Sequence, residues 1–239
     1  MRRLLAAREH LDGDLSDAGT LASNLRDLRR INAWFGGTDL SIRAIRELVG
    51  SRGQRAGRAT LRVLDVGTGA ADIPLALIRA RGPWSAVAVT AVDSRPEVLD
   101  AARQVSPGLV GDSRVQLHVA DGRRLPWPDG SFDVAHASLV LHHLERADAV
   151  LFLRELARVA TVGVVVNDVA RSRVALLGAR LVLRAMTRNR WTLDDAPLSV
   201  RRAWTRKEST VLLGEAGLEP VFQSAGLAGH RWVIAAVPG

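Results

Sequence analysis

Apolar residues change their spacing along this chain near residue 61. From Leu21 to Val49 they fall three or four apart, as Leu21, Leu25, Leu28 and Ile31 and then Leu40, Ile45, Leu48 and Val49, with Gly36-Gly37 between the two sets. Such spacing stacks side chains on one helical face, so an N-terminal helical preface is predicted. Gly50 to Thr60 (GSRGQRAGRAT) has little to bury and reads as a linker. Beyond it come short, nearly continuous apolar runs at Leu61 to Val66 and Val87 to Val92, the pattern of strands buried on both faces of a parallel sheet. Further strands are predicted at Val115 to Ala120, Phe132 to Ala137 and Val162 to Asp168, with helices at Ile73 to Arg79 and Glu97 to Arg103. Strand alternating with helix implies a doubly wound α/β sheet. An apolar helix over Arg171 to Thr187, a polar loop, a helix near Arg206 to Glu215 and two closely spaced strands at Glu219 to Ala225 and Arg231 to Val237 complete the reading. The last two predict an antiparallel pair. Residues 1–60 are thus expected to be a helical extension and linker, and residues 61–239 the main domain, with a helical insertion at about 170–205.

Composition narrows the chemistry. The chain of 239 residues contains no cysteine, which excludes disulfides, thiolate metal sites and cysteine nucleophiles. The net charge of +8 suggests nucleic acid as a partner, yet the basic residues are spread along the chain and are almost all arginine, Lys207 being the only lysine. That distribution fits a compositional bias better than a binding surface. Leu4 to Ala7 is too short for the core of a secretory signal. Arginines also interrupt every run before the roughly 20 apolar residues a membrane span needs. A cytoplasmic chain is the expectation.

The first strand runs into Asp65-Val66-Gly67-Thr68-Gly69-Ala70-Ala71-Asp72, a glycine turn opening a helix, where backbone can approach a nucleotide closely. A pyrophosphate at this helix N-terminus would meet Asp72, which disfavours dinucleotide cofactors. A cationic, phosphate-free nucleoside would instead be attracted by Asp65 and Asp72. Asp93, 24 residues after Gly69, ends the second strand where a carboxylate can accept both ribose hydroxyls. Asp121-Gly122 ends the third, where a carboxylate can take an adenine amino group beside a small neighbour. Each aspartate has an ordinary alternative as a helix cap or turn residue.

Four segments, LDVGTGAADIP, AVDSRP, VADGRRLPWPDGSFDVAHASLVLHHL and ELARVA before VGVVVNDV, occur in an order that resembles the class I S-adenosylmethionine-dependent methyltransferases. The resemblance covers Leu61 to Asp168 and is closest to the group around ubiquinone/menaquinone methyltransferases and small-molecule O- and C-methyltransferases. It implies a Rossmann-like, mostly parallel seven-stranded sheet with an antiparallel C-terminal strand pair, and S-adenosylmethionine as cofactor. By it, Asp65, Gly67, Thr68, Gly69 and Asp72 surround the methionine end, Asp93 and Ser94 the ribose, and Asp121 and Gly122 the adenine, with backbone near Ala137 and Ser138 facing the methionine portion. Ala71 departs from the pattern, standing where many members have a third glycine. LRDLRRINAWFGG and DDAPLSVRRAWT are similar to methyltransferases found beside type III polyketide synthases, which implies a phenolic or polyketide acceptor.

Methyl transfer needs alignment and exclusion of water more than side-chain chemistry. A phenolic acceptor gains from a base, for which His142 and His143 are the candidates and Asp168 the alternative, with Asn167 placed to orient an acceptor oxygen. His136, inside a strand, is expected to pack. No metal is expected, since Asn167-Asp168 alone is too small a ligand set. Trp34, Phe35, Trp191 and Trp204 are candidates for an aromatic acceptor wall, and Arg173, Arg180, Arg184 and Arg188 line one stripe of the 171–187 helix. That helix is a lid, a packing element or a membrane-surface helix, plain packing having the largest prior. O-methylation of a small hydroxyl in secondary metabolism is the leading expectation, with C-methylation of a quinol or methylation of nucleic acid as alternatives. A cofactor-fold scaffold without activity and a nicotinamide oxidoreductase are the other rivals. The oligomeric state stays open, a homodimer included.

Overall fold

A computed structural model of the chain describes residues 1–5, 7–51, 60–109 and 111–239. Of the expected linker, 52–59 lie outside the described residues, while Gly50 and Ser51 end a helix and Thr60 opens a strand. Two helices lead, α1 (Ala18–Trp34) and α2 (Gly37–Ser51). Then follow β1 (Thr60–Val66), α3 (Asp72–Leu77), β2 (Ala86–Asp93), α4 (Pro96–Val105), β3 (Val115–Val119), β4 (Phe132–Ser138), α5 (Arg146–Val159) and β5 (Ala160–Val169). The chain ends with α6 (Arg173–Met186), α7 (Arg190–Arg202), α8 (Arg206–Glu215), β6 (Leu218–Ala225) and β7 (Arg231–Pro238).

The seven strands form one sheet in the order β3-β2-β1-β4-β5-β7-β6. β1 pairs in parallel with both β2 and β4, while β7 runs antiparallel to β5 and β6. The order reverses direction at β1, so a crevice opens beyond its carboxyl end, between the connections leaving β1 and β4. Side chains alternate across the sheet as the strand period requires. Leu64, Val66, Ala135, Val164 and Ile234 face α5 and α8 through Phe152, Leu156 and Leu212, whereas Val63, Val134, Val165 and Val233 face α2 and α3 through Ile45, Leu48 and Leu75. Both faces are buried, which is why these strands read as unbroken apolar runs.

The expected polar loop after α6 is instead the helix α7. Pro197 and a run of polar residues obscure its period, but tertiary contacts hold it: Asn189 caps it by accepting from Thr192 N–H, and the Thr192 hydroxyl donates to Asp27 Oδ2 of α1 (3.1 Å). Asn24 Nδ2 donates to the same hydroxyl at 3.0 Å. Among the described residues, no helix is long and apolar enough to cross a membrane.

Candidate functional site

The crevice at the end of β1 is a cavity of about 440 Å³ whose floor is the glycine turn. Gly67 and Gly69 adopt φ of 70° and 51°, the left-handed region open to glycine. A Cβ at Gly67 would collide with Val140, while the space beside Gly69 is open. Ala71, at the position of the missing third glycine, holds φ 52° with a side chain, a strained conformation in the same turn. Gly122 lines the cavity and also packs closely beneath it. A Cβ there would lie 2.5 Å from Phe152 and 2.7 Å from Val66, so its smallness lets the β3 end settle on the core beneath the cavity.

Asp65, Asp72, Asp93 and Asp121 all line this cavity, as do Thr68, Ser94 and Ser138, but each of these carboxylates is already hydrogen-bonded within the protein. Asp65 accepts from the Thr68 hydroxyl (2.7 Å) and faces His136 Nδ1 (2.6 Å), whose other nitrogen meets Ser41 of α2 (2.9 Å). His136 is packed, as its place within β4 implies, and ties α2 to the turn. Asp72 accepts from Asn32 Nδ2 and Thr38 Oγ1, each at 3.2 Å, and burial pushes its carboxyl up from the usual range. Asp121 is held by Arg123 through contacts of 2.9 and 3.2 Å, which keep its carboxyl below the usual range. Asp93 differs. It accepts from Gly69 N–H (3.3 Å) and Arg95 N–H (3.2 Å) and meets no side-chain cation, and burial raises its carboxyl. Asp72 and Asp93 thus meet only neutral donors, whereas Asp65 faces His136 and Asp121 is held by Arg123, a difference that only side-chain partners reveal.

Ser138 supplies a second polar lead. Its hydroxyl is buried, lines the cavity, and has no hydrogen-bond partner among the described residues. Buried polar groups are paired in nearly all folded structures, so this one fits a ligand at the methionine end. Ala137, expected beside the methionine end, is instead fully buried in the core and does not line this cavity. Glycine turn, ribose-side carboxylate and orphaned hydroxyl together fit S-adenosylmethionine.

A second cavity, of about 310 Å³, adjoins the first and shares with it Leu11, Leu28, Leu139 and His143. Its walls are overwhelmingly apolar, from α1 (Ile31), α6 (Gly178, Val182, Leu183), α7 (Ala196, Val200) and Phe35. Leu139, at the partition, has φ 60°, strain that a bulky residue bears only where its surroundings impose it. Of the four aromatic candidates only Phe35 lines this cavity. Trp34 is exposed, Trp191 stacks on His10, and Trp204 lies in the core with Nε1 donating to Leu141 O.

The three expected catalytic groups separate here. His142 is buried between carboxylates: its N–H donates to Asp168 Oδ2 (3.0 Å), Nδ1 faces Asp168 Oδ1 (2.7 Å), and Nε2 lies 3.6 Å from Glu9. Burial alone would lower its pKa, but the Asp168 and Glu9 charges outweigh it and raise it to about 10. A ring so protonated is a poor base. Asp168 is also buried and lines neither cavity, and Asn167 spends its amide on Gly37 O and Ser41, both at 2.8 Å. His143 is the half-buried member, lining both cavities, with Nδ1 held by Asp12 (2.8 Å).

Sequence reasoning missed two contributors. The segment before α1 brings Glu9, Leu11 and Asp12 into the site, and Arg202 of α7 reaches Glu9 (3.2 Å) and Asp12 (2.6 Å). Isolated charges in a short stretch carry no periodic signal. Glu9, His142 and His143 converge closely enough to suggest a metal cluster, but Arg202 and the Ser199 hydroxyl (2.8 Å) already occupy Glu9, so they form an ion-pair network. Arg231 of β7 is the second. It is buried beside Asn32 (2.9 Å), lines the apolar cavity, and burial lowers it to about 10 against the pull of Asp168 and Asp72.

Strand order, glycine turn and carboxyl-edge crevice define the Rossmann-like fold of the class I methyltransferases. Residues 63–163 match the family described as Methyltransferase domain. The chain is 35% identical over 98 residues to the ubiquinone/menaquinone biosynthesis C-methyltransferase UbiE of Geobacter sp. (strain M21), covering 41% of this chain and 40% of that protein. It is 33% identical over 106 residues to 27-O-demethylrifamycin SV methyltransferase of Amycolatopsis mediterranei, covering 44% and 37%. The chain thus spans about two-fifths of the length of these curated relatives. The crystal structure of an O-methyltransferase family 2 protein from Planctomyces limnophilus in complex with apigenin superposes with a TM-score of 0.62 at 19% identity, over 95% of this chain and 64% of that one.

Proposed function

We propose that this chain transfers the methyl group of S-adenosylmethionine to a hydroxyl of a small, largely apolar acceptor, a phenolic or polyketide hydroxyl foremost. One observation carries the reading: an apolar cavity adjoins the nucleoside cavity at Leu139, and His143 lines both. Asp93 would hold the ribose, Ser138 the methionine end and Gly69 the close backbone approach. When bound, S-adenosylmethionine supplies an activated methyl group on a sulfonium. The chain's own residues must then align the acceptor oxygen and receive its proton. His143 is the group placed to take that proton at Nε2, because Asp12 holds Nδ1. His142 and Asp168 act as positioning residues, fixing the turn after β4. Residues 1–51 and 170–205 select the acceptor, since they build the apolar cavity around the 61–169 core.

C-methylation of a quinol is the second reading, favoured by the identity to the C-methyltransferase over the shared segment. The test is incubation of the pure protein with methyl-labelled cofactor and a panel of phenols, quinols, polyketide pyrones and RNA, with the methylated position mapped. Label on a hydroxyl oxygen supports the proposal, label on ring carbon the second reading, and label on RNA alone contradicts both.

A further inference from the structure

The outer face of α6 is apolar, basic and uncovered. Val174, Leu177 and Leu181 follow at helical spacing and are 57%, 58% and 60% exposed, while only Ala175 and Leu183 of the helix are buried. Across from them stands Leu227, 85% exposed, on the turn between β6 and β7. A solvated helix has no reason to align such residues outward, and a packed one would cover them. Arg173, Arg180 and Arg184 run along the adjoining stripe, with Arg188 just beyond, and none has a carboxylate partner among the described residues. Between Val169 and Leu193 the chain carries six arginines and no acidic residue.

We propose that this face docks on an anionic lipid surface, α6 lying flat with its leucines in the acyl boundary and its arginines at the headgroups. Charge decides among occupants. A second copy of the chain meeting this face by two-fold symmetry would oppose arginine to arginine. A nucleic acid would satisfy the arginines and leave Leu177, Leu181 and Leu227 wet. An anionic membrane satisfies both at once. Val174, Val182 and Leu227 belong to this face and also line the apolar cavity, so docking turns the mouth of that cavity toward the lipid. The inference does not rest on methyl transfer, since binding to lipid is measurable without turnover.

The test is co-sedimentation of the full chain with vesicles of phosphatidylcholine, alone or with about one third phosphatidylglycerol. The expected result is partitioning onto the anionic vesicles about tenfold or more above the neutral ones, weakening as salt rises. Leu177→Glu with Leu181→Glu, and separately Arg180→Glu with Arg184→Glu, each reduce it about tenfold or more, with circular dichroism and melting temperature unchanged. Equal binding by wild type and variants, or no partitioning at all, overturns the proposal. So does a wild-type dimer that ignores vesicles and is split by the leucine variant, or binding to RNA in place of lipid.

Discussion

The two cavities that meet at Leu139 differ in how they are made. The nucleoside cavity is assembled from the ends of adjacent parallel strands, so each of its determinants sits in a short segment: Gly67 to Asp72, Asp93, Asp121-Gly122 and Ser138. The apolar cavity is assembled from segments far apart in the chain, with Glu9 and Leu11 before α1, Phe35 after it, α6, α7 and the β6–β7 turn. A local motif that must meet one invariant ligand leaves little freedom. Walls that meet a variable acceptor need only be apolar and fit together, which many sequences satisfy.

That contrast is open to direct disruption. The largest effect expected is on turnover: His143→Ala lowers kcat by about 10²–10⁴ while the Kd for S-adenosylmethionine, by calorimetric titration, stays within about threefold. Equal losses in both would mean that His143 serves the cofactor and not the acceptor. Next is Asp93→Ala, which on the proposed assignment removes the acceptor of two ribose hydroxyls and weakens cofactor binding about 100-fold or more, at roughly 1.5–3 kcal/mol per charged hydrogen bond. His142→Ala should leave that affinity far less changed, and comparable losses would contradict the assignment. On the apolar side, Ala196→Phe should raise the acceptor KM about tenfold and leave cofactor affinity alone, since it fills one cavity only.

Smaller, and aimed at the joint between the cavities, is a pH effect on stability. His142 is raised to about 10 in the fold, from 6.5, so its contribution is fully present below about pH 6.5 and fades as pH rises toward 10. Thermal melts of wild type should therefore lose stability over that window, and His142→Gln should flatten this part of the slope. The least change is expected of Ala71→Gly. Relief of the left-handed strain, about 1 kcal/mol, is offset by the lost buried methyl and by greater freedom of the unfolded chain, leaving the melting temperature within a few degrees.

The parts of this molecule visible beforehand are those where chemistry and periodicity coincide. β1 was legible because Leu61, Val63, Leu64 and Val66 are buried on both faces, and the turn because Gly67 and Gly69 need φ that few residues tolerate. α7 was not, since Thr192, Asp195 and Pro197 read as loop until Asp27 and Asn24 of α1 are beside them. The carboxylates were legible as residues but not as charges. Asp72 and Asp121 look alike in the chain, yet one is raised by burial and the other lowered by Arg123.

Order along the chain was enough to settle strand succession, the glycine turn and the aspartate at each strand end, because these depend on neighbours a few residues away. Which histidine lines both cavities, which carboxylates meet a cation, and that Glu9 joins a site more than 130 residues downstream were decided only in three dimensions. Burial and partner distance set protonation and reach, and neither quantity exists until distant segments have packed.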